Sequence, residues 1–376
     1  MRAAGRRRRL TPRGLDWVGL VVWSVLVAGA RLPASDPVSW RYFDEAAALV
    51  FGASRVRGRT VGLRVYHLHP GFQFGPLSIV AAQALREIGG SHVLIVAHVV
   101  FVTAGLATLW LVDDAARRVT RRGTLVSRWA FLVAGATFLL EWNHLAIDTL
   151  HIDDAIALTC TALAVDAIAR HSNWWWPALA IGAATAAKPW AIAFLPLILL
   201  VPRGSRGAAL LLTVVIGVGV WAPFAIADSK TVLAAHYTTL NAPSSVLRLF
   251  GIRNPRTPPW DRLAQLSVAL ALGVVTLVRR RWEGVVLVAV AVRILLDPSV
   301  NTYYTSSLVF GALVWDLMRP RWELPLTTVC VALLLELPTL ADVGPTAAAM
   351  LRLLACVGAI CAVLAPTRPM TPSTSS

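Results

Sequence analysis

Residues 174 to 201 read WWWPALAIGAATAAKPWAIAFLPLILLV, apolar on both sides of one charge, Lys188, which Pro189 follows. A spanning helix needs about 20 apolar residues to cross about 30 Å of hydrocarbon. Each arm beside Lys188 holds only about 12 to 14 residues, or ~18 to 21 Å at 1.5 Å per residue. Arg170 and His171 precede the stretch and Arg203 and Arg206 follow it, and basic flanks of short segments stay in the cytoplasm. The chain therefore rises and returns, as two short tilted helices or as a re-entrant hairpin with Lys188 at the bend.

The rest of the chain agrees with a membrane setting. Of 376 residues 57% are hydrophobic and 15% charged, with a mean hydropathy of +0.65. That is too little polar surface to cover a soluble globule, and recurring apolar runs exclude a disordered chain. The net charge is +15; in an apolar chain it bears on orientation in the bilayer and gives no reason to expect a nucleic-acid partner. Lysine occurs only at Lys188 and Lys230, the other basic residues being arginine, so a single arginine carries little information. Cys160, Cys330, Cys356 and Cys361 all fall in apolar runs without metal or redox spacing.

Further runs lie at 15–32, 92–112, 128–145, 154–170, 207–227, 262–278, 284–296, 302–318, 323–340 and 345–365. Basic residues cluster at Arg6 to Arg9 and Arg13, in the connection Arg117 to Arg128, and in the turns Pro202 to Arg206, Arg279 to Arg281 and Arg319 to Arg321. All can be cytoplasmic if Gly75 to Ile88, too short to cross, lies along the outer surface as an interfacial helix. The expectation is an all-α polytopic membrane protein with about 10–12 transmembrane helices. It forms a single integral-membrane domain, 1–376, with a cytoplasmic basic N-terminus (1–14), a first outer loop (33–91) and a cytoplasmic tail (366–376). The other outward regions are Glu141 to Asp153, Asp228 to Asp261, Asp297 to Thr302 and Ala341 to Pro345. No internal repeat of the kind found in transporters with related halves is evident.

Polar groups at membrane depth mark candidate sites. Asp44 and Glu45, in the first outer loop, suit a general base with a tuning neighbour, or an ordinary acidic pair on an amphipathic helix. His67 and His69, which could hydrogen-bond a phosphate or a sugar, precede Phe74-Gly75-Pro76-Leu77, a groove for an amphipathic lipid or an interfacial aromatic belt. His151, Asp153 and Asp154, preceded by Glu141, His144 and Asp148, could hold sugar hydroxyls or a divalent cation, or be acids placed at a helix N-terminus. No metal or other cofactor is required by the pattern. Lys188 calls for an anionic partner, which a lipid-linked phosphate or a neighbouring acid would supply. Tyr303 and Tyr304, with Asp297 and Asn301, and His236 with Tyr237, add further polar and aromatic groups on the same face that suit sugar contacts.

An N-terminal span, an early loop carboxylate, the Phe74-Gly75-Pro76-Leu77 interfacial helix, an acidic mouth and a Lys-Pro bend together resemble the polytopic GT-C glycosyltransferases. The bacterial polyprenyl-phosphate-mannose-dependent mannosyltransferases and their actinobacterial relatives are the nearest match, over roughly residues 15 to 320. The resemblance implies transfer of a sugar, mannose as the expected one, with inversion. The donor would be a polyprenyl-phosphate sugar and the acceptor a glycolipid or glycan on the outer face of the cytoplasmic membrane. It implies Asp44 as base and Lys188 beside the donor phosphate. Where the family often carries a Tyr- or Phe-Tyr-Pro-Pro-Leu motif and an Asn- or Gln-rich mouth, this chain has Phe-Gly-Pro-Leu and His-Ile-Asp-Asp, which points to a different sugar or acceptor. A transporter or flippase for a lipid-linked or anionic solute, or an assembly subunit of an envelope complex, are the alternatives from other classes.

Overall fold

Proline, glycine and arginine punctuate the apolar runs, and the helices begin and end where they stand. The computed structural model describes residues 12–52, 55–56, 59–120, 128–319 and 324–365. Arg6 to Arg9, Arg57, most of the Arg117 to Arg128 connection, Arg321 and the 366–376 tail lie outside the described residues, as do the side chains of Arg55 and Arg59.

The principal helices are α1 (Pro12–Arg31), α2 (Val38–Phe51), α3 (Pro76–Gly89), α4 (Val93–Val119), α5 (Arg128–Asn143), α6 (Ile152–Ala169) and α7 (Trp175–Ala187). They are followed by α8 (Arg206–Gly219), α9 (Asp261–Val278), α10 (Val285–Leu296), α11 (Tyr304–Met318), α12 (Leu326–Leu340) and α13 (Pro345–Leu364). Apart from a ribbon pairing Arg55–Val56 with Arg59–Thr60, the described chain is helical or irregular. By length and composition five helical stretches can cross a membrane: Arg13–Arg31, Pro76–Val119, Arg128–Thr149, Asp261–Val278 and Pro345–Leu364. The protein is an all-α polytopic membrane protein.

The shorter helices fill the interior. Every residue of α11 but Asp316 is buried, and α10 is buried over nearly all of its length. Gly311 lets these two helices close up, because a Cβ there would stand 2.7 Å from the Leu287 Cα. Around them α6 packs between α4 and α7, α8 lies on α7, and α9, α13 and α12 complete the bundle. Their lipid-side faces carry exposed Leu, Val and Ile, the arrangement an apolar solvent demands.

The Lys188 bend is a true reversal. Pro189 disfavours the helical region for the residue before it, and Lys188 is extended at φ −136°, ψ 106°. The second arm, Pro189–Leu200, is wound as a 3-10 helix that contains Pro196. Its far end, Leu200 to Pro202, lines one groove with Pro177 near the start of α7, so both feet of the hairpin stand together. Arg118, His171 and Trp282 line the same groove, and Arg319 reaches the Arg280 carbonyl at 3.4 Å. The described basic turns thus gather at one end of the bundle.

Candidate active site

At the opposite end a cavity of about 830 Å³ opens between the Lys188 bend, the start of α6, the end of α10 and the loops before α3 and α9. That volume suits a ligand larger than a single sugar.

Its floor is built from strained and broken helix ends. A π-helical turn, His144–Thr149, follows α5, and Leu150 adopts a left-handed conformation at φ 46°, ψ 54°. A leucine in this region is strained, and such strain clusters at functional sites. The reversal directs His151 inward and sets Asp153 and Asp154 in the first turn of α6, where free N–H groups favour negative charge.

Lys188 closes this acidic turn. Its Nζ donates to Asp153 Oδ2 (2.6 Å) and meets His151 Nε2 (3.0 Å), with Asp154 Oδ2 at 2.9 Å. Asp153 Oδ1 accepts from the Asp154 amide at 2.9 Å, and the Trp190 indole donates to Asp154 Oδ1 at 3.3 Å. His151 and the two acids offer ligand atoms within 4.8 Å of one another, as a cation site would. The Lys188 ammonium fills that position, in contact with both carboxylates. The cluster is an internal ion network, and a metal would have to displace the lysine.

Arg293 is the residue that the sequence reading passed over. It lies in the last turn of α10, in the run VVLVAVAVRILL. Its guanidinium carbon sits 4.2 Å from the Trp190 ring centroid and 4.6 Å from that of Tyr304. Its nearest carboxylates, Asp154 and Asp297, are both 3.9 Å away, beyond hydrogen-bond range. It has no hydrogen bond to the described residues, and it lines the cavity. The signal was present, since a lone charge in a wholly apolar helix is costly wherever it lies.

Aromatic groups complete the wall. Tyr303 stacks on His151 with centroids 3.8 Å apart and planes inclined by 22°, and Phe43 presents an edge to the same imidazole at 5.8 Å. The loop before α3 is pinned to the Lys188 bend: the Gly75 amide and the Ser78 hydroxyl both donate to the Ala187 carbonyl, at 2.7 and 3.0 Å. A Cβ on Gly75 would fall 2.0 Å from the Ala186 oxygen, so only glycine permits this approach.

The structure therefore brings together His151, Asp153, Asp154, Lys188, Tyr303 and Tyr304. It does not bring Asp44, Glu45, His67 or His69 to the cavity. Ser39, Tyr42 and Phe43 of α2 line it, and at about 100° per residue Asp44 and Glu45 turn away from that face. Asp44 instead pairs with Arg86 of α3 at 2.9 Å, and Glu45 is exposed. His67 Nδ1 lies 2.6 Å from Asp228 Oδ2, fastening the helix Val65–Leu68 to the Ser229–His236 turn. That hydrogen bond holds the Asp228 carboxyl below the usual carboxylate range. His69 stacks on Phe72. No protein-family model matches the chain, and no curated protein matches it.

Proposed function

We propose that the chain is a glycosyltransferase of the GT-C type that moves a sugar, with mannose as the expected one, from a polyprenyl-phosphate donor to a cell-envelope glycolipid or glycan. The observation that carries this reading is Arg293. Two aromatic rings hold its guanidinium at the cavity, and its planar donors have no carboxylate closer than 3.9 Å. A planar fork of unfilled N–H groups matches a phosphate oxygen pair.

Lys188, by contrast, is engaged by its neighbours. It acts in this reading by keeping Asp153 and Asp154 neutralised and the Trp190 end of the bend in place. The leaving group is a phosphate, so the site must hold the donor, orient the acceptor and stabilise the charge gained by the departing oxygen. Leu240, 71% exposed at the cavity rim, gives the prenyl chain an apolar exit. With the basic turns facing the cytoplasm, both ends of the chain belong on the cytoplasmic side of the membrane and the cavity opens outward, where envelope acceptors are found.

The test supplies membranes with radiolabelled polyprenyl-phosphate mannose and compares wild type with Arg293→Gln. Transfer to lipid or glycan is expected in the wild type and a drop of about 10²- to 10³-fold in the variant, the usual cost of removing one charge-stabilising donor. Movement of a solute across the membrane without transfer to any acceptor would show a transporter and refute the enzyme reading.

A further inference from the structure

Three carboxylates line the cavity, Asp153, Asp261 and Asp297, and their hydrogen bonds distinguish them. Asp153 accepts on both oxygens from within the chain. Asp297 Oδ1 accepts from the Ser299 amide (2.8 Å) and hydroxyl (2.7 Å), whereas Oδ2 meets, among the described residues, only Arg293 Nε at 3.9 Å. Asp261, fully buried at the start of α9, accepts on Oδ2 from Gln265 Nε2 at 2.7 Å, and its Oδ1 has no hydrogen-bond partner. Gln265 also donates to the Leu296 carbonyl at 3.4 Å, one residue before Asp297, which joins the two acids into one wall.

A buried acceptor without a donor costs about 1–3 kcal/mol, and a ligand that donates hydrogen bonds recovers it. Both unpartnered atoms here are carboxylate oxygens, which accept hydrogen bonds when ionised. A cation would meet Arg293 beside Asp297 and Arg262 beside Asp261, so a neutral group rich in O–H donors is the better occupant. We propose that Asp261, Gln265 and Asp297 form the subsite for a polyhydroxyl acceptor, and that Asp297 Oδ2 takes the proton of the attacking hydroxyl. The proposal rests on the transferase reading, in which Arg293 holds the donor phosphate. Asp297 is the open carboxylate nearest to Arg293, so a hydroxyl on its Oδ2 stands beside the leaving group. As the acceptor oxygen bonds to the anomeric carbon, its proton passes to Asp297. The bond from that carbon to the phosphate oxygen breaks, and its electron pair leaves on the phosphate, facing Arg293. Asp261 is a positioning residue that holds a second hydroxyl of the acceptor.

The full-length protein in lipid nanodiscs is assayed for binding of polyprenyl phosphate, and for transfer from radiolabelled polyprenyl-phosphate mannose to octyl mannoside and to endogenous membrane acceptors. Asp297→Asn is expected to bind polyprenyl phosphate within about twofold of wild type and to lose transfer by about 10²-fold or more, the scale of a missing general base. Asp297→Glu restores part of the transfer, which a merely misfolded site would not allow. Asp261→Asn is expected to raise the KM for octyl mannoside about tenfold with kcat little changed, the mark of lost uniform binding. Wild-type transfer by Asp297→Asn, or parallel loss of polyprenyl phosphate binding and transfer, would overturn the assignment while leaving the transferase reading intact. A wild-type protein that transfers to neither acceptor overturns that reading, and this one with it.

Discussion

The two ends of the bundle use the same residue types to opposite effect. At the basic end Asp113 takes both Arg13 and Arg117, Asp16 takes Arg128 at 2.6 Å, and Asp114 takes Arg118 and Arg170 at 2.7 and 2.9 Å. These contacts staple α1 to α4 and α5, and α4 to α6. At the cavity end Arg293 stands 3.9 Å from two acids and Asp261 leaves an oxygen unmatched. Close pairing in a low-dielectric setting makes structure: each of these carboxylates meets a guanidinium, although Arg13 Nε and Asp166 Oδ1 keep no hydrogen-bond partner among the described residues. Incomplete pairing leaves a deficit that a ligand can fill.

Lys188 belongs to the paired kind although it lies at the cavity, and its removal is the severest test of the contrast. Lys188→Ala leaves two buried carboxylates facing each other, and a stability loss of about 3–5 kcal/mol is expected, read as a lowered unfolding midpoint in detergent. A variant as stable as the wild type would place Lys188 with the incompletely paired groups. Gly75→Ala forces a methyl group into the Ala186 carbonyl. A cost of about 1–3 kcal/mol is expected, visible as faster proteolysis within the loop before α3 and reduced transfer. Arg293→Lys keeps the charge but loses the flat stacking surface. A drop in donor affinity of about tenfold, equivalent to ~1.4 kcal/mol, follows from the scale of cation–π contacts, and isothermal titration with polyprenyl phosphate would detect it.

Two milder experiments sharpen the comparison from outside the cavity. The Asp44–Arg86 pair is half-exposed on both sides, and pairs with such access to water contribute ~0–1 kcal/mol. Asp44→Asn should therefore change transfer by no more than about threefold, or ~0.6 kcal/mol; a loss a hundred times larger would return the base to α2. The smallest effect concerns the His67–Asp228 clasp. The Asp228 carboxyl is held below its ordinary value, so its contribution is fully present above the unfolded value of about 3.9 and is lost as pH falls through the lower folded value. Protease accessibility of the Ser229–His236 turn should stay constant from neutral pH to about pH 5 and rise only below the carboxylate range.

Much of the fold was legible because arginine and proline mark its turns. The runs at 128–145, 262–278 and 345–365 match α5, α9 and α13 within a few residues, and the Lys188 bend follows from the proline after it. The run 207–227 is instead interrupted after Gly219, and a second short helix, Ala222–Ala227, follows with Pro223 in its first turn. The site was only half legible. His151, Asp153 and Asp154 are neighbours in sequence and Lys188 is conspicuous by its chemistry. Arg293 was camouflaged by the many other arginines. Asp44 and Glu45 drew attention as an acidic pair, yet the helical period that puts Ser39, Tyr42 and Phe43 on one face carries them off it. The pairing of His67 with Asp228 spans 161 residues, and no local pattern announces it.

The second arm of the hairpin acts as a ruler. Twelve residues from Pro189 to Leu200 wound at three per turn cover ~24 Å, whereas at 3.6 per turn they would cover ~18 Å. With the foot of the arm fixed beside Pro177, tightening the pitch by that amount would draw the bend inward by ~6 Å. Lys188 would then leave the 2.6 Å contact it makes with Asp153, and the Ala187 carbonyl would release the loop it anchors. The depth of a single ammonium group is thus encoded in residues per turn, and Pro196, packed against Gly273 where a Cβ would stand 2.8 Å from its ring, is the stop that keeps the gauge from slipping.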